Sequence, residues 1–335
     1  MRCALRAAGL SLATLIVATI VQLVLHSAPV SAGDQIGNAR DQLKEARSWG
    51  YQLQNVTASA LAGTDFDLLV VDAGSGDGAW GLSPAEIKRL KAKPDGARRL
   101  VVAYMNIGEA EDYRYYWKKA WAKKPPQWMG SENCRWKGDH RVRHWEREWH
   151  DILFGSPKSY LGRLIDAGYD GVYLDRVDIY YHWRATRWRA ATDMVDLVAA
   201  LAGYARQRRP DFLVIPQNGE ELVSDPRYLA AIDGIGKEDM LFGDRGNDTP
   251  NATERVARAE RNFAPLRTAG LPVFAVEYMR RPENVEAARM RLDQLGFISY
   301  FGPRSLAYIG RDGPLHPEDG DTESVNPAPG GGVCE

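Results

Sequence analysis

The chain has 335 residues, 44% of them hydrophobic and 26% charged. That composition excludes a disordered, collagen-like or coiled-coil chain, and the length suits one large α/β barrel or two smaller domains. Lys and Arg number 43 against 44 Asp and Glu, so no global basic field points to nucleic acid.

Residues 1–32 read as a signal peptide rather than fold material. Arg2 and Arg6 precede an apolar run over 10–25, and Val30-Ser31-Ala32 is a small-residue cleavage site ahead of Gly33. Cleavage near Ala32 is the expectation; an uncleaved anchor is the alternative, because the run is long for a signal peptide. Either reading puts the rest outside the cytoplasm, as a secreted, periplasmic or surface protein. Cys3 leaves with the segment. Cys134 and Cys334 remain, an even pair in an oxidising compartment, and a disulfide between them is an open expectation.

Short apolar runs rich in β-branched and aromatic residues then recur at 49–55, 68–72, 100–107, 171–175, 212–217, 234–237, 272–276 and 296–300. Their near-continuous apolar character suits parallel strands buried on both faces. Helical patterns fill the gaps. Ser83-Pro84-Ala85-Glu86 is a capping box with Pro at the first position. Further helices are expected from Ser156-Pro157, over 188–208, over 253–269 and over 283–295, two of them stopping at Gly270 and Gly296. Only 57–62 is available for the first helix. Eight strands alternating with helices predict a (β/α)8 barrel over 33–310, with a Pro/Gly-rich tail over 311–335. The third connection is some 60 residues long and carries Trp117, Trp121, Trp128, Trp136, Trp145 and Trp149, six of the ten Trp in the chain. Most should pack this insertion onto the barrel, leaving two or three as sugar platforms.

Catalytic groups of such barrels sit at the C-terminal ends of strands. There the sequence places Asp72, Glu109, Asp175 with Asp178, Glu220, Glu238 and Glu277, a carboxylate on six consecutive strands. Converging carboxylates raise one another's pKa, giving a protonated acid beside an ionised partner. Glycoside hydrolysis needs that pair. An acid-lined groove also favours a cationic polymer.

Gly-Tyr-Asp-Gly171 followed by Tyr-Leu-Asp175-Arg-Val-Asp178, Ala103-Tyr-Met-Asn-Ile-Gly-Glu109, Pro216-Gln-Asn-Gly219 and Gly236-Lys-Glu238, in this order, resemble glycoside hydrolase family 114 over 49–308. The resemblance implies a (β/α)8 endo-α-1,4-polygalactosaminidase-like enzyme with Asp175 as nucleophile, Glu238 as acid/base and a retaining mechanism. Two departures bear on the substrate: Tyr173-Leu-Asp175-Arg176 stands where characterised members tend to carry Asp-Pro-Asp-Asn, and Lys237-Glu238-Asp239 where they tend to carry Asn-Glu-Gln. Asp72, Tyr104, Asn106, Glu109, Asp178, Asn218, Glu277 and Tyr278 are the expected substrate-binding residues. No cofactor, metal or nucleic acid is expected. The partner is a polysaccharide, cationic or amino-sugar in character, bound by a monomer. The rival is a non-catalytic carbohydrate-binding barrel associated with exopolysaccharide export or biosynthesis.

Three patterns carry less. Asp72-Ala-Gly74-Ser-Gly76-Asp-Gly78 mimics a methyltransferase glycine loop, but it follows the second strand and has no acid at the usual spacing. His140, His144 and Glu148 fall at i, i+4, i+8, a metal face or, more simply, a solvated helix face. His182 is near Asp175 in sequence and has either a cleft position or no duty.

Overall fold

Eight strands occupy the eight apolar runs: β1 (Trp49–Gln52), β2 (Leu68–Asp72), β3 (Leu100–Asn106), β4 (Gly171–Asp175), β5 (Leu213–Pro216), β6 (Ile235–Glu238), β7 (Val273–Glu277) and β8 (Ile298–Phe301). The structure is a computed structural model that describes residues 38–74 and 81–309. The expected signal segment, the glycines beyond Gly74 and the tail 311–335 lie outside the described residues.

β1 to β5 pair in parallel as one run, and β6, β7 and β8 as another. The runs meet at a parallel bridge between Gln217 and Gly236, where Asn218 N donates to Gly236 O at 2.9 Å. On the other side Trp49 Nε1 donates to Ile298 O at 3.0 Å and Leu53 N to Leu306 O at 2.8 Å. The result is a (β/α)8 barrel. β6 runs one residue later than its expected span, so Glu238 ends the strand instead of opening the loop.

Alternation decides what each strand residue faces. Trp49, Tyr51, Leu68, Val70, Leu100, Val102, Tyr104, Tyr173, Leu213, Ile215, Phe274, Val276, Tyr278 and Tyr300 form one buried interior cluster. Their neighbours, such as Leu69, Val71, Ala103, Val172, Val214 and Ala275, pack outward in a second cluster with the helices. Trp49 centres the interior, its ring 5.7–6.1 Å from those of Tyr51, Tyr173, Phe274 and Tyr300. Gly236 is required there: a Cβ would lie 1.8 Å from Tyr173 Oη. Helix Ala39–Glu45 lends Ala39, Leu43 and Ala46 to the same cluster and plugs the N-terminal end.

That end is rich in closed ion pairs. Asp170, fully buried ahead of β4, meets Lys91, Arg98 and Arg209 at 2.8–3.0 Å. Asp233, ahead of β6, meets Arg40 and Arg206 at 2.7 and 2.9 Å. Such pairing at the bottom of a barrel serves stability.

The helices follow their caps. The Ser83–Glu86 capping box opens Pro84–Leu90 as expected. The helix expected from Ser156-Pro157 is instead capped by Ser159 and runs Tyr160–Ala167, because the Ser156 carbonyl already accepts from Ser159. The 253–269 helix is broken at Phe263, ahead of Pro265, into Thr253–Asn262 and Ala264–Ala269.

The insertion after β3 folds as a small antiparallel sheet of Glu109–Glu111, Asp139–Val142 and Met129–Glu132, followed by helix Arg147–Leu153. Trp117, Trp121, Trp128 and Trp149 pack ring against ring at 5.0–5.4 Å. Trp149 Nε1 donates to Ile107 O at 2.9 Å, which satisfies the one polar atom of a fully buried indole. Trp136 alone of the six Trp is exposed. Cys134 is disulfide-bonded; the pairing with Cys334 lies outside the described residues. His140 sits in a strand, and His144 is buried with Nε2 on Ala190 O at 2.8 Å. The expected helix face, metal or solvated, does not form, because the hairpin places these residues on different elements. No metal-holding group occurs among the described residues, and none of their helices is long and apolar enough to cross a membrane.

Candidate active site

The inward parity that fills the interior with Trp, Tyr and Leu ends, one step further along each strand, in polar groups. Leu68 and Val70 lead to Asp72, Leu100 and Val102 to Tyr104, Tyr173 to Asp175, Leu213 and Ile215 to Gln217, Gly236 to Glu238, and Phe274 and Val276 to Tyr278. Above them a cavity of about 810 Å³ is lined by Asp175 and Glu238 together with Asp72, Tyr104, Glu109, Asp178 and Asn218. β4 and β6 flank β5, so their axes lie about 10 Å apart and both side chains reach inward.

Each of the two carboxyls has a tyrosine donor. Tyr104 Oη donates to Asp175 Oδ2 at 2.7 Å, and Tyr278 Oη to Glu238 Oε1 at 2.6 Å. Asp175 Oδ1 also accepts the Arg176 N–H at 2.7 Å. Glu238 Oε2 accepts Gln217 Nε2 at 3.2 Å, and Gln217 Oε1 in turn accepts Tyr51 Oη at 3.2 Å. Burial pushes the Asp175 carboxyl up to about 6, against the pull of the Arg176 guanidinium and the Tyr104 hydrogen bond. Burial, then the adjacent Asp239 charge, pushes Glu238 up to about 7. The two carboxyls thus differ in the direction a division into base and acid requires.

Three strand ends share a backbone device. Arg176, Asn218 and Asp239, directly after Asp175, Gln217 and Glu238, have φ of 58°, 58° and 50°. Left-handed non-glycine residues cost of order 1 kcal/mol each and gather at functional sites. Here each ends its strand immediately beyond the inward polar side chain. Gly108 allows the insertion to cross this rim, since a Cβ would lie 2.2 Å from Arg176 O.

The insertion supplies the far wall. Arg114 forks onto Asp72 at 2.5 and 2.9 Å and onto Glu111 at 2.6 and 3.0 Å, all buried. Glu109 is fully buried, with Oε1 on Asn133 Nδ2 at 3.0 Å and Arg176 Nη2 at 3.1 Å. Its Oε2, and Asp139 Oδ1, have no hydrogen-bond partner among the described residues. Burial and the charges of Glu111 and Glu109 push Asp139 up to about 9.

Not every expected binding residue reaches the cavity. Glu277 has the outward parity of Val273 and Ala275. It is fully buried, and its oxygens accept the N–H groups of Leu241 and Phe242 at 2.7 and 3.3 Å. Glu220 is buried against Lys237 at 3.0 Å. Asn106 is 1% exposed, and its Oδ1 caps the turn by accepting from Gly108 N and Glu109 N at 3.1 and 2.8 Å. Tyr278 acts on the cavity only through Glu238. Asn218 Oδ1 accepts the Glu238 N–H at 3.3 Å. His182 is exposed and away from the lining. Sequence reading missed Gln217, Tyr51, Asp139 and Arg304 in the lining; inward parity signals the first two.

Residues 31–314 match glycoside-hydrolase family GH114. The chain is 34% identical over 281 residues to an uncharacterized protein of Deinococcus radiodurans, covering 83% of this chain and 87% of that one. An uncharacterized protein of Thermotoga maritima is 39% identical over 204 residues, 58% of this chain and 60% of that one. Among solved structures, the glycoside hydrolase domain of PelA from Pseudomonas aeruginosa superimposes with a TM-score of 0.60 at 18% identity, covering 81% of this chain and all of that one. Aspergillus fumigatus Ega3 in complex with galactosamine superimposes with a TM-score of 0.56 at 18% identity, covering 79% and 94%. At that identity both bear on the fold, which is the barrel described above. By a match that spans all of its described residues, the chain belongs to glycoside-hydrolase family GH114.

Proposed function

We propose that this protein is an exported, monomeric, endo-acting glycoside hydrolase that cleaves an α-linked amino-sugar polysaccharide with retention of configuration. The observation that carries the reading is the pair Asp175 and Glu238, which open on one cavity with unequal surroundings in a chain of this family. Between pH about 6 and about 7, Asp175 is ionised while Glu238 keeps its proton. Glu238 gives that proton to the glycosidic oxygen as Asp175 attacks the anomeric carbon. The deprotonated Glu238 then takes a proton from water, whose oxygen displaces Asp175 from the sugar. Tyr104 and Tyr278 hold the two carboxyls in place.

The amino-sugar preference is supported by charge. Seven carboxyl groups line the cavity against Arg135, Lys137, Arg176 and Arg304, with Glu238 and Asp139 keeping their protons at the working pH. Glu109 Oε2 and Asp139 Oδ1 lack partners among the described residues, and an ammonium group there would relieve the cost of burying them. Ega3, of similar fold, was solved with galactosamine. Export is supported by the signal-like residues 1–32.

The test is a reducing-end assay on partially deacetylated galactosaminoglycan, with NMR of the first anomer released. Wild type should release the α-anomer, and Asp175→Asn and Glu238→Gln should each lose more than ~10³-fold in kcat while remaining folded. Near-normal turnover in both variants would overturn the reading. Binding without new reducing ends would favour the non-catalytic barrel.

A further inference from the structure

Glu238 is followed directly by Asp239, a second carboxylate at the same strand end. Asn251 Nδ2 and Arg255 Nη1 donate to the Asp239 carbonyl at 2.8 and 3.0 Å and hold its left-handed backbone. Gly243 leaves room for the side chain, since a Cβ would lie 2.1 Å from Asp239 Oδ1. Arg304, from the segment after β8, forks onto Asp239 with Nη1 to Oδ2 at 3.0 Å and Nη2 to Oδ1 at 2.8 Å. Its Nε donates to Asn247 Oδ1 at 2.7 Å, and its guanidinium lies 4.3 Å from the centre of the Tyr278 ring. Tyr278 Oη is the donor on Glu238 Oε1. The Arg304 and Asp239 side chains are only 19% and 15% exposed. A bidentate pair so enclosed has one geometry, unlike a solvated surface pair.

We propose that Arg304 is a positioning residue for Glu238: it cancels the Asp239 charge beside that carboxyl and braces the Tyr278 ring whose hydroxyl fixes Glu238 Oε1. The proposal rests on the reading of Glu238 as the acid/base. Without Arg304, an uncompensated Asp239 carboxylate makes the charged form of Glu238 costlier and raises its pKa. Without Asp239, an uncompensated Arg304 lowers it. The other groups facing Glu238 are Asp175 and Tyr173 from β4, Gln217 from β5, Tyr51 from β1 and Tyr278 from β7, with Glu277 behind Asp239. None of them is substituted in the test. The opposing influences of Asp239 and Arg304 on Glu238 agree in sign with this account.

The experiment is a ¹³C NMR titration of protein labelled at glutamate Cδ, with the Glu238 signal assigned by its loss in Glu238→Gln. It needs no substrate, so a chain that cleaves none of the glycans tried would sink the function reading without touching this measurement. Arg304→Gln should raise the Glu238 pKa by about one unit and Asp239→Asn should lower it by about one unit. The double variant should return to within ~0.3 units of wild type, as cancellation requires. Arg304→Lys, which keeps the charge but loses the fork and the stacking, should stay within ~0.3 units of wild type while kcat falls about tenfold. A Glu238 pKa that is unmoved or lowered in Arg304→Gln, or a double variant that retains the single variant's shift, overturns the proposal. If Arg304→Gln fails to fold, Arg304→Lys and Asp239→Asn still decide, because their predicted shifts differ.

Discussion

β4 and β6 each carry a carboxylate at both ends, five residues apart: Asp170 and Asp175, Asp233 and Glu238. The two ends are treated oppositely. Asp170 meets three cations and the Val101 N–H, and Asp233 meets two cations and the Val214 N–H. Asp175 and Glu238 form no carboxylate–cation pair among the described residues, only bonds from tyrosine, amide and backbone donors, and burial raises both. One residue type on one strand is thus saturated where the barrel needs holding and left short of countercharge where the cavity opens. Stability and a poised carboxyl ask for different surroundings, and the barrel separates them by the length of a strand.

Exchanging the two ends is the strongest way to break this comparison. Asp175→Asn and Glu238→Gln should lose more than ~10³-fold in kcat yet melt no lower than wild type at pH 8. Both carboxyls have raised pKa values in the fold, so their ionic form opposes folding as pH rises through about 6 and about 7; a neutral amide removes that opposition. Asp170→Asn should do the reverse, keeping the cavity chemistry while losing about 3 kcal/mol of stability by urea denaturation. That value is the low end for uncompensated buried charge, because its three cations are a fifth or more exposed. A Asp175→Asn variant as destabilised as Asp170→Asn would end the distinction.

Gly236→Ala tests the floor that lies between the two ends. The added methyl must displace the ring of Tyr173, which is fully buried under Trp49 and Tyr51. A cost of about 2–3 kcal/mol is expected, with kcat falling because Glu238 is two residues away on the same face. A variant that kept wild-type stability would mean that the interior packs more loosely than the ring contacts require.

The pH profile sharpens the comparison without mutation. kcat/KM should rise as pH passes about 6, where Asp175 ionises, and fall as it passes about 7, where Glu238 loses its proton. The two limbs describe the pair jointly. A profile flat from pH 5 to 8 would remove the division of roles.

Much of this was legible because barrel strands obey simple periodicities. The eight runs appear as continuous apolar segments, and the inward parity of 68-70-72, 171-173-175 and 236-238 puts Asp72, Asp175 and Glu238 on the cavity side. The same parity sends Glu277 outward and brings in Gln217, so the count of six acidic strand ends overstated the cluster while counting by twos corrects it. The insertion was not legible in this way. His140, His144 and Glu148 share a helical spacing, yet a hairpin separates them, and spacing alone cannot tell a helix from a turn between strands. Asp139 reaches the cavity through its cross-strand pairing with Glu111, and Arg304 through its fork onto Asp239, neither of which a local pattern encodes.

The smallest effect belongs to the insertion's rim. Trp136 is 44% exposed and lines the cavity beside Arg135 and Lys137, whereas Trp128 and Trp149 are buried. Its exposed ring can stack on a sugar face without supporting the fold. Trp136→Ala should raise KM about three- to tenfold, with kcat and the melting temperature unchanged, because contacts made equally in ground and transition states move KM alone. Trp149→Ala should instead lower stability by about 3–5 kcal/mol. If Trp136→Ala also unfolded the insertion, its ring would belong with the packing aromatics, and the cavity would have lost the one exposed tryptophan platform it has among the described residues.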